Sequence, residues 1–102
     1  MSMLYAIIGE DVDHSRERRV RARPAHLERL RVLQDQGRLV LAGPHPRIDC
    51  EEPGEHGFSG SLIVAEFPSL HEAQRWADSD PYREAGVYAR VIVKPFKQVF
   101  PQ

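Results

Sequence analysis

Met3-Leu4-Tyr5-Ala6-Ile7-Ile8-Gly9 is the stretch on which the reading of the fold turns. It is a short apolar run closed by glycine and acidic residues, the pattern of a buried strand. In a strand, alternate side chains point to opposite faces, so Leu4, Ala6 and Ile8 share one face while Met3, Tyr5 and Ile7 share the other. A strand with one wet face alternates apolar and polar residues. This one is apolar on both, so its sheet needs a cover on each side.

Working outward, Glu10 to Arg23 is polar and rich in arginine, and reads as a solvated helix or loop. Pro24 suits the first position of a helix, where its missing N–H costs nothing, and Gly37 suits the stop, which places a helix over Ala25 to Gln36. Leu27, Leu30 and Leu33 form its buried stripe, bordered by His26 at i, i+4 and i+7 from Leu30 and Leu33. A His26 in the first turn would feel the helix dipole, which favours the neutral imidazole. Leu39 to Ala42 is a second strand ended by Gly43-Pro44, and Pro44 to Phe58 reads as one long loop. Ser61 to Phe67 is a third strand. Ser69 and Glu72 then make a capping box, opening a helix with Leu70, Ala73, Trp76 and Ala77 on its core face. That helix ends by Asp80, because a residue before proline avoids helical angles. Pro81 to Gly86 is one short helical turn. Tyr88 to Pro95 is a fourth strand, and the half-apolar tail Phe96 to Phe100 should pack on something.

The order strand, helix, strand, strand, helix, strand is the split βαβ of an α+β, ferredoxin-like βαββαβ subunit. Two helices cover one face of a four-stranded sheet. The expectation is therefore a homodimer in which two sheets close over their free faces, a barrel-like arrangement with two-fold symmetry.

The chain of 102 residues is read as a single domain spanning 1–102, and its 41% hydrophobic content supports one modest core. A net charge of -1 supplies no global field for nucleic acid or a membrane. The arginine-rich segment lacks the interleaved aromatics that stack on bases, so an RNA contact is the weakest of the functional readings. Cys50 is the lone cysteine, so no internal disulfide can form. The N-terminal residues lack a basic n-region, and no apolar run approaches the ~18 residues of a membrane helix; a cytoplasmic protein is expected. His45, Asp49, Cys50, Glu51, Glu52, Glu55 and His56 are metal-binding types, but their spacing fits no ligand motif, so no metal is assigned. No glycine-rich phosphate loop is present, and no cofactor is expected.

Several linked motifs carry a resemblance: Arg23-Pro24-Ala25-His26-Leu27, Gly37-Arg38-Leu39, Ala42-Gly43-Pro44, Gly57-Phe58-Ser59-Gly60-Ser61, Trp76-Ala77-Asp78, Asp80-Pro81-Tyr82 and Val93-Lys94-Pro95-Phe96. Through them the chain resembles the YciI-like (YCII-related) family of the dimeric α/β-barrel superfamily, over essentially its whole length. The resemblance implies a ferredoxin-like subunit, a dimer and a pocket with a paired His and Asp, which map onto His26 and Asp80. The wider superfamily holds lactone isomerases, lyase-type dehalogenating enzymes and small monooxygenases acting on ring compounds.

A His–Asp pair is a general-base device, since the carboxylate orients the imidazole and stabilises it when it gains a proton. Each residue also has a plainer reading. His26 could be a core histidine bonded to backbone, and Asp80-Pro81 is the N-cap and N1 pair of a short helix. The roles are compatible if one carboxylate oxygen caps while the other faces a pocket. Ser61 could donate to a substrate oxygen, Tyr82 could contact substrate, and Arg23 could meet an anionic group. Asp78 reads as a solvated helix-end charge, and Cys50 has no histidine fixed beside it to make it a nucleophile. Two readings follow: a cofactor-independent lyase or isomerase acting on a small cyclic or aromatic metabolite, and a non-catalytic small-molecule-binding or regulatory dimer.

Overall fold

The structure is a computed structural model and describes residues 2–102. Four strands form one antiparallel sheet in the order β2-β3-β1-β4: β1 (Met3–Asp11), β2 (Leu39–Pro46), β3 (Phe58–Phe67) and β4 (Tyr88–Phe96). Helix α1 (Arg16–Asp35) joins β1 to β2, while α2 (Leu70–Asp78) and the single turn α3 (Pro81–Glu84) join β3 to β4. This is the ferredoxin-like α+β subunit that the element order implies.

The core lies between the helices and one sheet face, built from Tyr5 and Ile7 of β1, Ile63, Ala65 and Phe67 of β3, Leu33 of α1, and Ala73 and Ala77 of α2. Trp76 packs against this cluster and stays partly exposed, whereas Leu70, expected on the same stripe, is 43% exposed. Ser69 caps α2, its side chain accepting from the Glu72 N–H at 3.1 Å. On the opposite sheet face, Ile8 lies between Leu62 and Ile92, and Ala6 sits beside Val64. Leu4, Ala6, Ile8, Leu62 and Ile92 there are only half-buried, the uncovered apolar face that strand one announces.

Three expectations need correction. α1 begins at Arg16, two turns before Pro24, which lies inside the helix. An interior proline removes the hydrogen bond to the carbonyl four residues back, here Val20, at a cost of about 3 kcal/mol. Anchors on the early turns offset it: Arg18 donates to the Gly86 carbonyl at 2.9 Å, and Arg19 is buried in the site described below. Next, β2 runs on through Gly43-Pro44 to Pro46, pairing His45 with Gly60, so the long loop shrinks to 47–57 with a 3₁₀ turn at Gly54–His56. As an edge strand, β2 tolerates prolines that a central strand would not. Finally, β4 runs past Pro95 to Phe96, which pairs with Leu4, while the rest of the tail finds no cover within the single chain, Val99 being 59% and Phe100 72% exposed.

Candidate active site

Asp80 stands where α2 has ended and α3 begins. Its extended backbone (φ -63°, ψ 132°) is what the following proline demands, and its Oδ1 accepts from the Tyr82 N–H at 2.8 Å. The same oxygen lies 2.8 Å from His26 Nδ1, with Oδ2 at 3.0 Å. Oδ1 thus serves both the cap and His26, and Oδ2 shares the contact with His26. Both side chains are buried, at 8% and 3% exposure. A carboxylate facing Nδ1 fixes the proton there, so that Nδ1 donates and Nε2 carries the lone pair.

The dipole argument for a neutral His26 lapses, because the residue sits near the middle of α1. The dipole acts only over the terminal turns, so Asp80 sets the tautomer instead. The imidazole is further held by Tyr82, whose ring stacks on it at 3.9 Å between centroids and 14° between planes. Tyr82 meets Tyr88 edge to face at 5.8 Å. Tyr88 in turn lies over Gly9, where an added Cβ would come 2.5 Å from the phenol ring, so glycine alone fits. Burial pushes the Tyr82 phenol up, with Arg19 and Arg23 opposing, and burial pushes Tyr88 up strongly. Both stay neutral phenols at ordinary pH.

A cavity of about 560 Å³ opens between α1 and the β2–β3 half of the sheet. His26, Ser61 and Tyr82 line it, as do Leu27, Leu30 and Ile63, while Asp80 stands behind the imidazole. Arg23 also borders the cavity and is exposed, so it sits at the rim. Glu52, Pro53 and Gly54 contribute too, making the 47–57 loop one wall. Asp78 is exposed at the end of α2, and the Cys50 thiol is exposed in the loop. Among the described residues, no cluster of three or more His, Cys, Asp or Glu is placed to hold a metal.

The residue that sequence reasoning missed is Arg19, within a segment taken as solvated. It is only 5% exposed. Its Nε and Nη2 donate to Asp11 at 2.6 and 2.9 Å, and Nη2 also donates to the Gly60 carbonyl and to Ser61 Oγ, both at 2.8 Å. The Asp11 carboxylate is fully buried and also accepts from Ser15 Oγ at 2.6 Å. Burial by itself lowers the Arg19 pKa; hydrogen-bonded Asp11, helped by Tyr88 and Tyr82, more than offsets it, and the guanidinium stays charged. The signal was available, since Arg19, Arg23, His26, Leu30 and Leu33 repeat at alternating spacings of four and three. A helix start at Pro24 hides it, because the first two members of the series then fall outside the helix.

The chain belongs to the YCII-related domain family, which it matches over residues 3–97. It is similar to protein YciI of Escherichia coli O6:H1, with 57% identity over 98 residues that cover 96% of this chain and all of that one. An uncharacterized protein of Haemophilus influenzae is 53% identical over the same share of both chains. Among solved structures, the fold is similar to that of 5-chloro-2-hydroxyhydroquinone dehydrochlorinase from Burkholderia phenoliruptrix AC1100, in complex with 2,5-dihydroxybenzoquinone. That match has a TM-score of 0.81 and 27% identity, and covers 93% of this chain and 94% of the other. No helix among the described residues is long and apolar enough to cross a membrane.

Proposed function

We propose that the protein is a cofactor-independent enzyme of lyase or isomerase type that uses His26 as general base on a small cyclic or aromatic metabolite. The observation that carries this is the buried 2.8 Å contact of His26 Nδ1 with Asp80, on a ring that lines a cavity of about 560 Å³. Nε2 takes a proton from a substrate hydroxyl or activated carbon, and Asp80 stabilises the imidazolium that results. Ser61 accepts a hydrogen bond from Arg19 and shares one with the Tyr88 phenol, and a substrate oxygen in the cavity would compete with Tyr88 for its hydroxyl hydrogen. Tyr82 holds the imidazole plane and offers a neutral phenol, and Arg23 meets anionic groups at the rim. The likeness to a dehydrochlorinase that holds a hydroxylated quinone supports a ring substrate. The working unit in this reading is a cytoplasmic homodimer, built by covering the free apolar sheet face with a second copy.

The test is incubation with a panel of hydroxylated and chlorinated ring compounds, 5-chloro-2-hydroxyhydroquinone among them, followed by mass spectrometry and chloride release. Turnover should fall about 10²–10⁴-fold in His26→Gln, the usual worth of a positioned base. Equal turnover by wild type and His26→Gln would remove the general-base role. The second reading, a binding or regulatory dimer, keeps the same cavity; thermal stabilisation by a panel compound that is recovered unchanged would favour it.

A further inference from the structure

Arg19 holds Asp11, Gly60 and Ser61 through Nε and Nη2 alone, which leaves Nη1 free of that network, beside the Tyr82 phenol that the guanidinium also approaches. The side chain is only 7% exposed, yet Nη1 is not sealed in: the residue lines the cavity, and the one buried side-chain N or O atom without a partner among the described residues belongs to Arg29. A charged, rigidly held guanidinium therefore keeps N–H donor capacity at the cavity wall. The guanidinium carbon lies 4.9 Å from the centroid of the Tyr82 ring on which His26 stacks. Base and cation consequently line one cavity, with a phenol between them.

From this we infer that Arg19 is the oxyanion-holding residue of the cavity, and that its ligand is a ring compound bearing an enolic, phenolic or carboxylate oxygen conjugated to the position His26 deprotonates. The inference rests on the general-base reading for its chemical step. His26 Nε2 takes the proton; the electron pair of the broken O–H or C–H bond delocalises through the conjugated system onto the far oxygen; the negative charge comes to rest against Arg19 Nη1, and the imidazolium is balanced by Asp80. Donors fixed where charge develops need no reorganisation as the proton moves. Asp11 is the positioning residue, since its bidentate grip fixes the plane of the guanidinium and aims Nη1. Arg23, exposed at the rim and not gripped by a carboxylate as Arg19 is, supplies no such fixed geometry.

The test is equilibrium binding, followed by the ligand's visible absorbance, of 2,5-dihydroxybenzoquinone, an anion at neutral pH, and of neutral 1,4-benzoquinone as its control. Wild type should bind the anion at least tenfold tighter than the neutral quinone. Arg19→Lys keeps a cation beside Asp11 but loses the planar fork, and should weaken anion binding about tenfold while circular dichroism and molecular mass stay unchanged. Arg19→Gln with Asp11→Asn removes the charge without orphaning a buried carboxylate, and should abolish the preference for the anion. His26→Gln should bind the anion within about threefold of wild type. A wild type indifferent to ligand charge, or a folded Arg19→Lys with unchanged affinity, would overturn the assignment. Anion preference that survives while His26→Gln retains full turnover would uphold it and reject the general base instead.

Discussion

At Asp80, two substitutions separate folding from chemistry. Asparagine keeps an oxygen to accept from the Tyr82 N–H but carries no charge to balance an imidazolium. Asp80→Asn should therefore stay close to wild type in thermal stability and lose turnover about 10²-fold or more. Alanine removes both the cap and the acceptor for the buried His26 Nδ1, and should cost about 1–3 kcal/mol in a denaturant titration. Equal stability loss in the two variants would show that the carboxylate's charge, not its capping oxygen, holds this corner. Much of the corner was legible in sequence, because Asp-Pro forces an extended residue before a helical turn. Its partner was not readable from spacing alone; the family resemblance supplied the pairing with His26.

Among the elements, α2 and α1 make opposite cases. The start of α2 is a local matter, a serine three residues before a glutamate, and the structure keeps the serine half of that box. Ser69→Ala should lower stability by about 1 kcal/mol and leave the cavity untouched, since α2 contributes none of its lining. A loss near zero in urea unfolding would show that Ser69 is not what anchors this helix end. The start of α1 is not local. Its first turns are polar, carry an interior proline and lack a side-chain cap, yet they are helical because Arg18 and Arg19 reach partners far along the chain. Propensity is a weak prior that such tertiary contacts override. The same cause hid the end of β2: Gly43-Pro44 reads as a stop, and pairing to β3 carries the strand through it.

For the whole molecule, strand order and layer arrangement follow from the element sequence, and the unpaired apolar face follows from strand one. Leu41 (48% exposed) and Phe96 (41% exposed) extend that face beyond the half-buried Leu4, Ala6, Ile8, Leu62 and Ile92. The patch shares its face with Glu66 and Lys94, opposite Leu4 and Ala6, and is where the proposed second copy would sit. Light scattering should give twice the 11.7 kDa chain mass, and Ile8→Glu, which places a charge at the centre of the patch, should return it to a monomer. An Ile8→Glu protein that remains dimeric would move the interface elsewhere. The cavity was the least legible feature at this scale, because its walls come from α1, β2, β3 and the 47–57 loop at once.

In the proposed mechanism Asp80 holds the His26 proton on Nδ1 so that Nε2 is free to act as a base. Long-range ¹H–¹⁵N correlation spectra of the histidine side chains, recorded at alkaline pH, read that tautomer directly and need no substrate. A neutral His26 with Nδ1 protonated and Nε2 bare is the expected result, changed or lost in Asp80→Ala. A His26 protonated on Nε2 would contradict the base assignment and leave the pair a purely structural contact.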